Sequence, residues 1–182
     1  MKIGFDFDGV IIDHTLTKIK LAADFGFEIQ PKDTPPEILK NILSKDVLEK
    51  FKKNLYYNLH QESFLMNGVL DTLNKITTKD LPFFLISRRH QTSTAVEILI
   101  KNKLWPQYFN KSNSFFVVEK EDKDIKAKEL GITHYFDDEI SVLEKLKNVS
   151  NKFLFDTHNV FPESELYTKV SSWEEIKKQL HV

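Results

Sequence analysis

The 182-residue sequence contains no cysteine, which excludes disulfides, thiolate metal sites and cysteine nucleophiles. It also lacks an apolar run long enough for a membrane span, and no signal peptide is visible, so we expect a cytoplasmic protein without membrane contact. The 26 basic residues nearly balance the 27 acidic ones, for a net charge of -1. A chain without a global positive field is a poor binder of nucleic acid polymers, so small ligands are favoured. The composition leaves the oligomeric state open.

Arginine is scarce as well. Only Arg88 and Arg89 occur, side by side, while every other basic residue is lysine. A guanidinium is a planar group that can donate two parallel hydrogen bonds, which an ammonium group cannot do. This placement therefore indicates a site that requires bidentate hydrogen bonding. The alternative, that both are ordinary solvated turn residues, stays open.

Residues 1–13 have the pattern of a buried strand that ends in two aspartates. The run has few polar members, and its apolar residues are Ile3, Phe5 and Phe7. Such a run suits a parallel strand that is covered on both faces. Asp6 and Asp8 lie two positions apart, so their carboxylates point the same way at the carboxyl end of the strand. Like charges held together repel, and a shared Mg²⁺ is the simplest compensation, although Asp-x-Asp alone also fits a solvated strand end.

The rest of the chain alternates strand and helix patterns around one all-helical stretch. Strand patterns at 81–86, 115–118, 134–136 and 153–155 alternate with helical ones, which predicts an α/β fold with a doubly wound parallel sheet. Residues 14–79 are expected to form a helical cap inserted into a core of residues 1–13 and 80–182. The lysines and aromatic residues of this segment are interpreted as cap surface and cap core, not as ligand contacts.

Polar side chains follow the end of each predicted strand. Ligands of doubly wound sheets bind at the carboxyl ends of the strands, so these residues should converge. Carboxylates, a hydroxyl and an ammonium together suit phosphoryl transfer, since they can attack, orient and neutralise a phosphate. The candidates, in chain order, are Asp6, Asp8, Ser87, Lys123 or Lys126, Asp137 and Asp138.

The order of these motifs resembles the haloacid dehalogenase superfamily of aspartate-nucleophile phosphatases, over nearly the whole chain. The first motif is Phe-Asp-Phe-Asp-Gly-Val and the second is Ile-Ser-Arg. The third is a lysine about fourteen residues before the acidic pair, and the fourth is Phe-Asp-Asp. Three further segments are similar to the deoxyribonucleotidase-like, or 5'-nucleotidase, branch: residues 68–73, residues 128–132, and the last part of the chain with Trp173-Glu174-Glu175-Ile176.

The resemblance implies roles for the candidates. Asp6 would be the nucleophile that forms an aspartyl phosphate, and Asp8 the general acid and then the base. Mg²⁺ would be held by a carboxylate oxygen of Asp6, the main-chain carbonyl of Asp8, Asp138 directly and Asp137 through water. The direct ligand of the acidic pair is left open between Asp137 and Asp138. Ser87 and a lysine would bind the phosphoryl oxygens; Lys123 has the family spacing, and Lys126 shares its helix face.

Three neighbours of the motifs receive separate expectations. Arg88 directly follows Ser87, so we expect its fork to reach either a substrate phosphate or the acidic pair. Arg89 is expected to be solvated. His14 is interpreted as a surface or packing residue.

These residues predict a magnesium-dependent phosphomonoester hydrolase, acting on a nucleoside monophosphate or a similar small phosphate ester. A phosphotransferase or mutase on the same core is an alternative, because the difference lies in whether the cap admits water. A phosphoacceptor module of the receiver type uses similar groups but places the acidic pair before the acceptor aspartate. A silent ligand-binding protein on this fold would be expected to have lost Asp6 or Asp8, and both are present.

Overall fold

A computed structural model describes all residues of the chain, 1–182. The eight strands are β1 (Ile3–Phe5), β2 (Ile12–Asp13), β3 (Phe64–Leu65), β4 (Phe83–Ser87), β5 (Ser114–Phe116), β6 (His134–Asp137), β7 (Asn151–Phe155) and β8 (Thr168–Val170). The eight α-helices are α1 (Thr15–Asp24), α2 (Pro36–Ile42), α3 (Lys45–Lys53), α4 (Val69–Thr78), α5 (Thr92–Lys101), α6 (Lys120–Leu130), α7 (Ile140–Leu143) and α8 (Trp173–Leu180). No helix is both long and apolar enough to cross a bilayer.

Six strands form one parallel sheet in the order β5-β4-β1-β6-β7-β8. The chain leaves β1 toward β4 and β5 on one side and then returns to build β6, β7 and β8 on the other. This reversal places the switch point of the sheet at β1, so the ends of β4, β1 and β6 lie next to one another. The predicted doubly wound α/β fold is confirmed.

Alternate residues of each strand pack into two different hydrophobic clusters, one on each face of the sheet. Leu85 and Phe136 belong to the larger cluster, which includes α4, α5 and α8. Their chain neighbours Ile86 and Tyr135 belong to the smaller cluster under α6 and α7. Because helices cover both faces, the strands can be apolar throughout, and this is the pattern that made them readable in the sequence.

The helical segment after β2 has a hydrophobic cluster of its own, built from residues of α1 to α3 and the turn after them, including Leu21, Phe51 and Leu55. A short antiparallel pair, β2 with β3, forms the base of this segment. The predicted cap, residues 14–79, also contains α4. However, the buried residues of α4, Val69, Leu73 and Ile76, pack in the large cluster beside the sheet, so α4 is part of the core packing.

Strand β8 was not expected from the sequence. It has only three residues and lies at the edge of the sheet, with one buried position. Such a short run contains too little alternation to be recognised, and its position depends on pairing with β7. Within the predicted helical cap, α3 ends at Lys53, and a π-helical turn follows at Asn54–Asn58.

Candidate active site

Lys123 joins two carboxylates from different strand ends. Its Nζ donates hydrogen bonds to Asp6 Oδ1 and to Asp137 Oδ2, both at 2.7 Å. Burial alone would lower the pKa of this ammonium, but Asp137 and Asp6 raise it well above its ordinary value, so the group stays charged. Lys126 instead pairs with Glu129 on the partly exposed side of α6. The geometry therefore selects Lys123 from the two lysines that the sequence left open.

Asp6, Asp137 and Asp138 form a cluster of oxygen ligands. One carboxylate oxygen from each lies within 4.8 Å of the other two. Burial raises the pKa of Asp6 to about 7, with Lys123 opposing the rise and Asp137 adding to it. Burial and the neighbouring carboxylates also raise the pKa of Asp137 and of Asp138. An oxygen-only set whose negative charge exceeds that of its one ammonium partner suits a hard divalent cation such as Mg²⁺.

Gly9 allows Asp138 to come close to the loop after β1. The residue has φ of +87°, and a Cβ atom at this position would lie 2.0 Å from Asp138 Oδ2. A side chain is therefore excluded both by the left-handed backbone and by the carboxylate itself. Asp138, rather than Asp137, therefore lies beside the loop that follows β1. The Asp137 carboxylate accepts a hydrogen bond from Lys123 instead.

The Asp8 carboxylate is held by two side chains. Its Oδ1 accepts a hydrogen bond of 2.7 Å from Arg89 Nη1 and lies 2.6 Å from His14 Nε2. Burial alone would raise the pKa of Asp8, but Arg89 and His14 overcome it and lower the pKa below its ordinary value. Burial lowers the pKa of His14, so a neutral ring donates through Nε2, and its buried Nδ1 has no partner in the protein. Asp8 is thus a fixed, ionised carboxylate.

Arg89 is not solvated as expected; it is 5% exposed. Besides Asp8, it binds the main-chain oxygen of Tyr56 at 3.1 Å and Thr94 Oγ1 at 3.3 Å. Its guanidinium also lies 5.0 Å from the ring centre of Tyr56 and 5.6 Å from that of Phe7. The expectation failed because the loop after β4 turns the second arginine inward, and that turn is set by tertiary packing.

Arg88 is the more accessible of the two arginines. Its guanidinium lies 3.8 Å from Glu139 Oε1, and its side chain is 29% exposed. The carboxylate that it faces follows the acidic pair, and Lys120 already binds it at 2.7 Å. A contact with a substrate phosphate stays a prediction for Arg88.

Ser87 is the last residue of β4 and is 1% exposed. Its hydroxyl accepts a hydrogen bond of 3.2 Å from the main-chain N–H of Arg89. On the other side of β1, the Asp8 loop is tied to the core by Trp173, whose Nε1 donates to the Val10 carbonyl at 2.8 Å. Both contacts position polar groups at the switch point of the sheet.

A cavity of about 690 Å³ opens over these groups. Its floor comes from the strand ends and its roof from α2, α3 and the turn after α3. The roof places some of the cap lysines and aromatic residues at the cavity, a position that the expected cap surface and cap core did not specify. The cavity is bordered by Lys40, Lys52, Lys53, Tyr56 and Tyr57 of the cap and by Asp6, Asp8, Ser87, Arg88, Arg89, Lys123 and Asp138 of the core, among others.

Sequence reasoning missed three residues at the site: His14, Arg89 and Tyr56. His14 lies six positions after Asp8, and nothing in that spacing distinguishes a ligand of the carboxylate from a packing residue. Tyr56 belongs to a π-helical turn, which changes the helix face relative to the α-helical period used to read it. The scarcity of arginine was a valid signal for a site, but it could not tell Arg88 from Arg89.

Comparison with known structures supports the same architecture. A haloacid dehalogenase-like protein of unknown function from Agrobacterium tumefaciens aligns with a TM-score of 0.69 and 18% identity, over 99% of this chain and 97% of the other. A haloacid dehalogenase family hydrolase from Deinococcus radiodurans, with bound phosphate and sodium, gives 0.68 and 12%, over 98% and 94%. A Thermotoga maritima protein provisionally described as a beta-phosphoglucomutase gives 0.63 and 18%, over 99% and 98%.

The sequence comparisons give no match, in contrast to the structural comparison. No protein-family model matches the sequence, and a search of curated proteins finds no significant match. At these low identities the structural likeness establishes the fold and leaves the chemistry to be argued from the site. The chain has the fold of haloacid dehalogenase-like proteins, with its polar cluster at the carboxyl ends of β1, β4 and β6.

Proposed function

We propose that this protein is a magnesium-dependent phosphomonoester hydrolase in which Asp6 is the nucleophile. The observation that carries the proposal is the contact of Lys123 with both Asp6 and Asp137, beside Asp138. Lys123 holds Asp6 through Oδ1, and no protein group donates to Oδ2 at the cavity wall. A fixed carboxylate with one free oxygen, next to an ammonium that can neutralise phosphate charge, is suited to in-line attack on phosphorus.

In the proposed reaction, Asp6 Oδ2 attacks the phosphorus atom and the bond to the leaving alcohol breaks. Ser87 and Lys123 would bind the phosphoryl oxygens from the ends of β4 and α6. The leaving oxygen would take a proton from the Asp8 carboxyl group to become the alcohol. Water then attacks the phosphorus atom of the aspartyl phosphate, the bond to Asp6 Oδ2 breaks to release phosphate, and Asp8 takes the proton of the water. The lowered pKa of Asp8 keeps it ionised, the state in which it can accept a proton, whereas its acid role toward the leaving alcohol needs a proton that Arg89 and His14 oppose.

Magnesium would be held by Asp6 and Asp138, with Asp137 in support and the main-chain carbonyl of Asp8 as a further ligand. When bound, it would supply positive charge that offsets the clustered carboxylates and the phosphoryl oxygens. The set of oxygen donors fits this ion. Burial, and then the neighbouring carboxylates, raise the pKa values of Asp6, Asp137 and Asp138, and a bound cation would offset both effects.

The substrate class that we propose is a nucleoside monophosphate or a similar small phosphate ester. The cavity is of a size that accommodates a small molecule, and Tyr56 and Tyr57 offer aromatic surface at its roof. A phosphotransferase on the same core is the second candidate. The structural likeness to the Thermotoga maritima protein, which is described as a mutase, supports this candidate. The two differ in the acceptor: a transferase forms a new phosphate ester where a hydrolase releases phosphate.

The test is the Asp6→Asn variant, assayed for phosphate release from p-nitrophenyl phosphate and a panel of nucleoside monophosphates with Mg²⁺. We expect a loss of roughly three orders of magnitude or more in kcat, because no other residue replaces the nucleophile. Asp71→Asn, at an exposed aspartate on α4, is the matched control and should keep wild-type activity. Near-normal activity of purified Asp6→Asn would exclude the aspartyl-phosphate mechanism, and ester products in place of free phosphate would favour the transferase.

A further inference from the structure

The positive charges around the cavity fall into two groups, according to the part of the chain that supplies them. Those from the core are each close to a carboxylate. Arg88 and Lys120 lie 3.8 and 2.7 Å from Glu139, Arg89 lies 2.7 Å from Asp8, and Lys123 is 2.7 Å from both Asp6 and Asp137. The core has therefore already balanced its own cations.

The positive charges supplied by the cap have no ion-pair partner, and the one cap carboxylate at the cavity, Glu37, accepts hydrogen bonds from Ser141. Lys18, Lys40, Lys52 and Lys53 border the same cavity, and none of them has a carboxylate within 4.0 Å. Lys18 is 8% exposed, and its Nζ donates only to the Thr34 carbonyl, at 3.0 Å. Lys18 acts through space on the carboxylates of Asp8 and Asp138 without a direct ion pair, and the further cations along one wall add to the positive potential there.

We propose that these four cap lysines bind a second anionic group of the substrate, so that the preferred substrate carries a phosphate-sized anion in addition to the phosphate that is cleaved. This inference rests on the proposed function, because it assigns the other end of the same substrate. The reacting phosphate has its own partners in Lys123 and Ser87, so the cap lysines are available for a different group. Because the four border one cavity, an anion inside it would experience their summed positive potential, while each alone would contribute little.

The dimensions of the cavity agree with a substrate that reaches from the strand ends to the cap. A space of about 690 Å³ is far larger than one phosphate group needs and is in the range that encloses small organic ligands. The cavity contacts Asp6 at its floor and Lys52 and Lys53 at its roof. A molecule that spans this distance with an anion at each end would meet Lys123 and the proposed Mg²⁺ site at the floor and the cap lysines at the roof.

Helix α3 offers an internal control for the alternative that its lysines are only a solvated face. Lys45 and Lys50 lie on the same helix, are exposed, and do not border the cavity. Replacing two lysines by glutamine removes the same charge in either case. Only the position relative to the cavity differs between the two double variants.

The experiment compares matched substrates that differ by one phosphate: fructose 6-phosphate with fructose 1,6-bisphosphate, and AMP with adenosine 3',5'-bisphosphate. For the wild type we expect a higher kcat/KM for the bisphosphate of at least one pair. In Lys52→Gln/Lys53→Gln, that preference should fall by roughly tenfold, mainly through KM, since each exposed pair is worth a few-fold in affinity. Lys45→Gln/Lys50→Gln should keep the preference. Added salt should weaken it in the wild type, because the charges are accessible to solvent.

Calorimetric binding of the same four compounds to Asp6→Asn gives a readout that does not need turnover. Tighter binding of a bisphosphate, lost in the Lys52/Lys53 background and kept in the Lys45/Lys50 background, would support the site even if the chemistry proposed for Asp6 is wrong. No preference for a bisphosphate in either pair would overturn the inference. Equal losses in the two double variants would also overturn it, since they would reflect net charge alone. If the protein hydrolyses p-nitrophenyl phosphate but shows no preference for a bisphosphate, the inference about the cap lysines is wrong and the proposed function is unaffected.

Discussion

The arginine pair gives the sharpest comparison, because two adjacent residues of one type have very different surroundings. Arg89 makes three hydrogen bonds, to Asp8, Tyr56 and Thr94, and lies between two aromatic rings. Arg88 has one contact, at 3.8 Å, with a glutamate that Lys120 already binds. Changing each arginine to lysine keeps the charge and removes the planar fork, so the pair of variants isolates geometry.

Arg89→Lys leaves one ammonium that can still face Asp8 but cannot also reach Tyr56 and Thr94. The loss of two hydrogen bonds, at about 1 kcal/mol each, and of part of the stacking, at about 0.5–1 kcal/mol, predicts a decrease of roughly 2–3 kcal/mol in the free energy of unfolding. Removing the charge altogether, as in Arg89→Met, should cost about 3–5 kcal/mol, since the buried Asp8 carboxylate would lose its counter-ion. Arg88→Lys should change the free energy by less than about 1 kcal/mol.

Urea unfolding, followed by circular dichroism, measures these differences directly from the midpoints and slopes. The same variants should separate in catalysis, because Arg89 fixes the Asp8 carboxylate that we propose as the base. We expect Arg89→Lys to lower kcat with p-nitrophenyl phosphate, and Arg88→Lys to act mainly on KM if its fork meets the phosphate. Free energies of unfolding that agree within about 0.5 kcal/mol for the two lysine variants would refute the account of Arg89 as the buried member.

Two further predictions concern the carboxylate cluster. Because the pKa of Asp6 is raised to about 7, a proton must leave before Mg²⁺ binds below that pH. The apparent affinity for Mg²⁺ should therefore increase by about tenfold per pH unit for each proton released up to pH 7 and then level off, as isothermal titration would detect. Gly9→Ala should destabilise the protein and weaken Mg²⁺ binding, because its Cβ would lie 2.0 Å from Asp138 Oδ2. We expect a cost of roughly 2–4 kcal/mol, measured by urea unfolding.

Stability provides an independent check on the pH dependence. A carboxyl group with a raised pKa holds a proton in the folded state that the unfolded chain releases above its ordinary pKa, so Asp6 lowers stability as the pH rises from about 4 to 7. Bound Mg²⁺ offsets this loss, so the rise in Tm on adding Mg²⁺ should be larger at pH 8 than at pH 5.5. A rise in Tm that is the same at both pH values would contradict the assignment.

Gly26→Ala is the matched control for Gly9→Ala. Gly26 has nearly the same backbone angle, with φ of +83°, but no atom lies within 4 Å of the position where a Cβ would be. Its substitution measures the backbone cost alone, at about 1 kcal/mol. If the two alanine variants are equally stable, the close approach of Asp138 is not the reason for glycine at position 9.

The parts of the site that could be predicted are those fixed by local chain geometry. Asp6 and Asp8 directly follow β1 and both border the cavity, as alternation along an extended segment predicts, and Asp137 ends β6 because the strand pattern stops there. The helical period also places Lys123 on the face of α6 that points inward. Arg89 and His14 could not be assigned in this way. Their side chains meet Asp8 only after the loop following β4 and the start of α1 have packed against β1, and sequence spacing does not contain that packing.

The orientation of the cap helices could not be predicted from the sequence either. Its helices were readable from their apolar period, but the direction in which their polar face points was not. That direction depends on how α1 to α3 sit on the β2–β3 pair and on the packing of Phe51 and Leu55 within the cap. Lys52 and Lys53 therefore looked like ordinary surface residues until the tertiary arrangement placed them above the strand ends.

The central position of β1 also determines when the site can form during synthesis. The strand is made first, but its partners follow much later: Ile3 pairs with Phe83 on one side and with His134 on the other. The last contact of the loop that carries Asp8 is made by Trp173, which follows Val10, whose carbonyl it binds, by 163 positions. Contacts that join distant parts of a chain form slowly, and unpaired apolar strands are prone to association. A nascent chain of this protein therefore contains its aspartates before the strands and helices that surround them, and the full site assembles only after α8 has been synthesised.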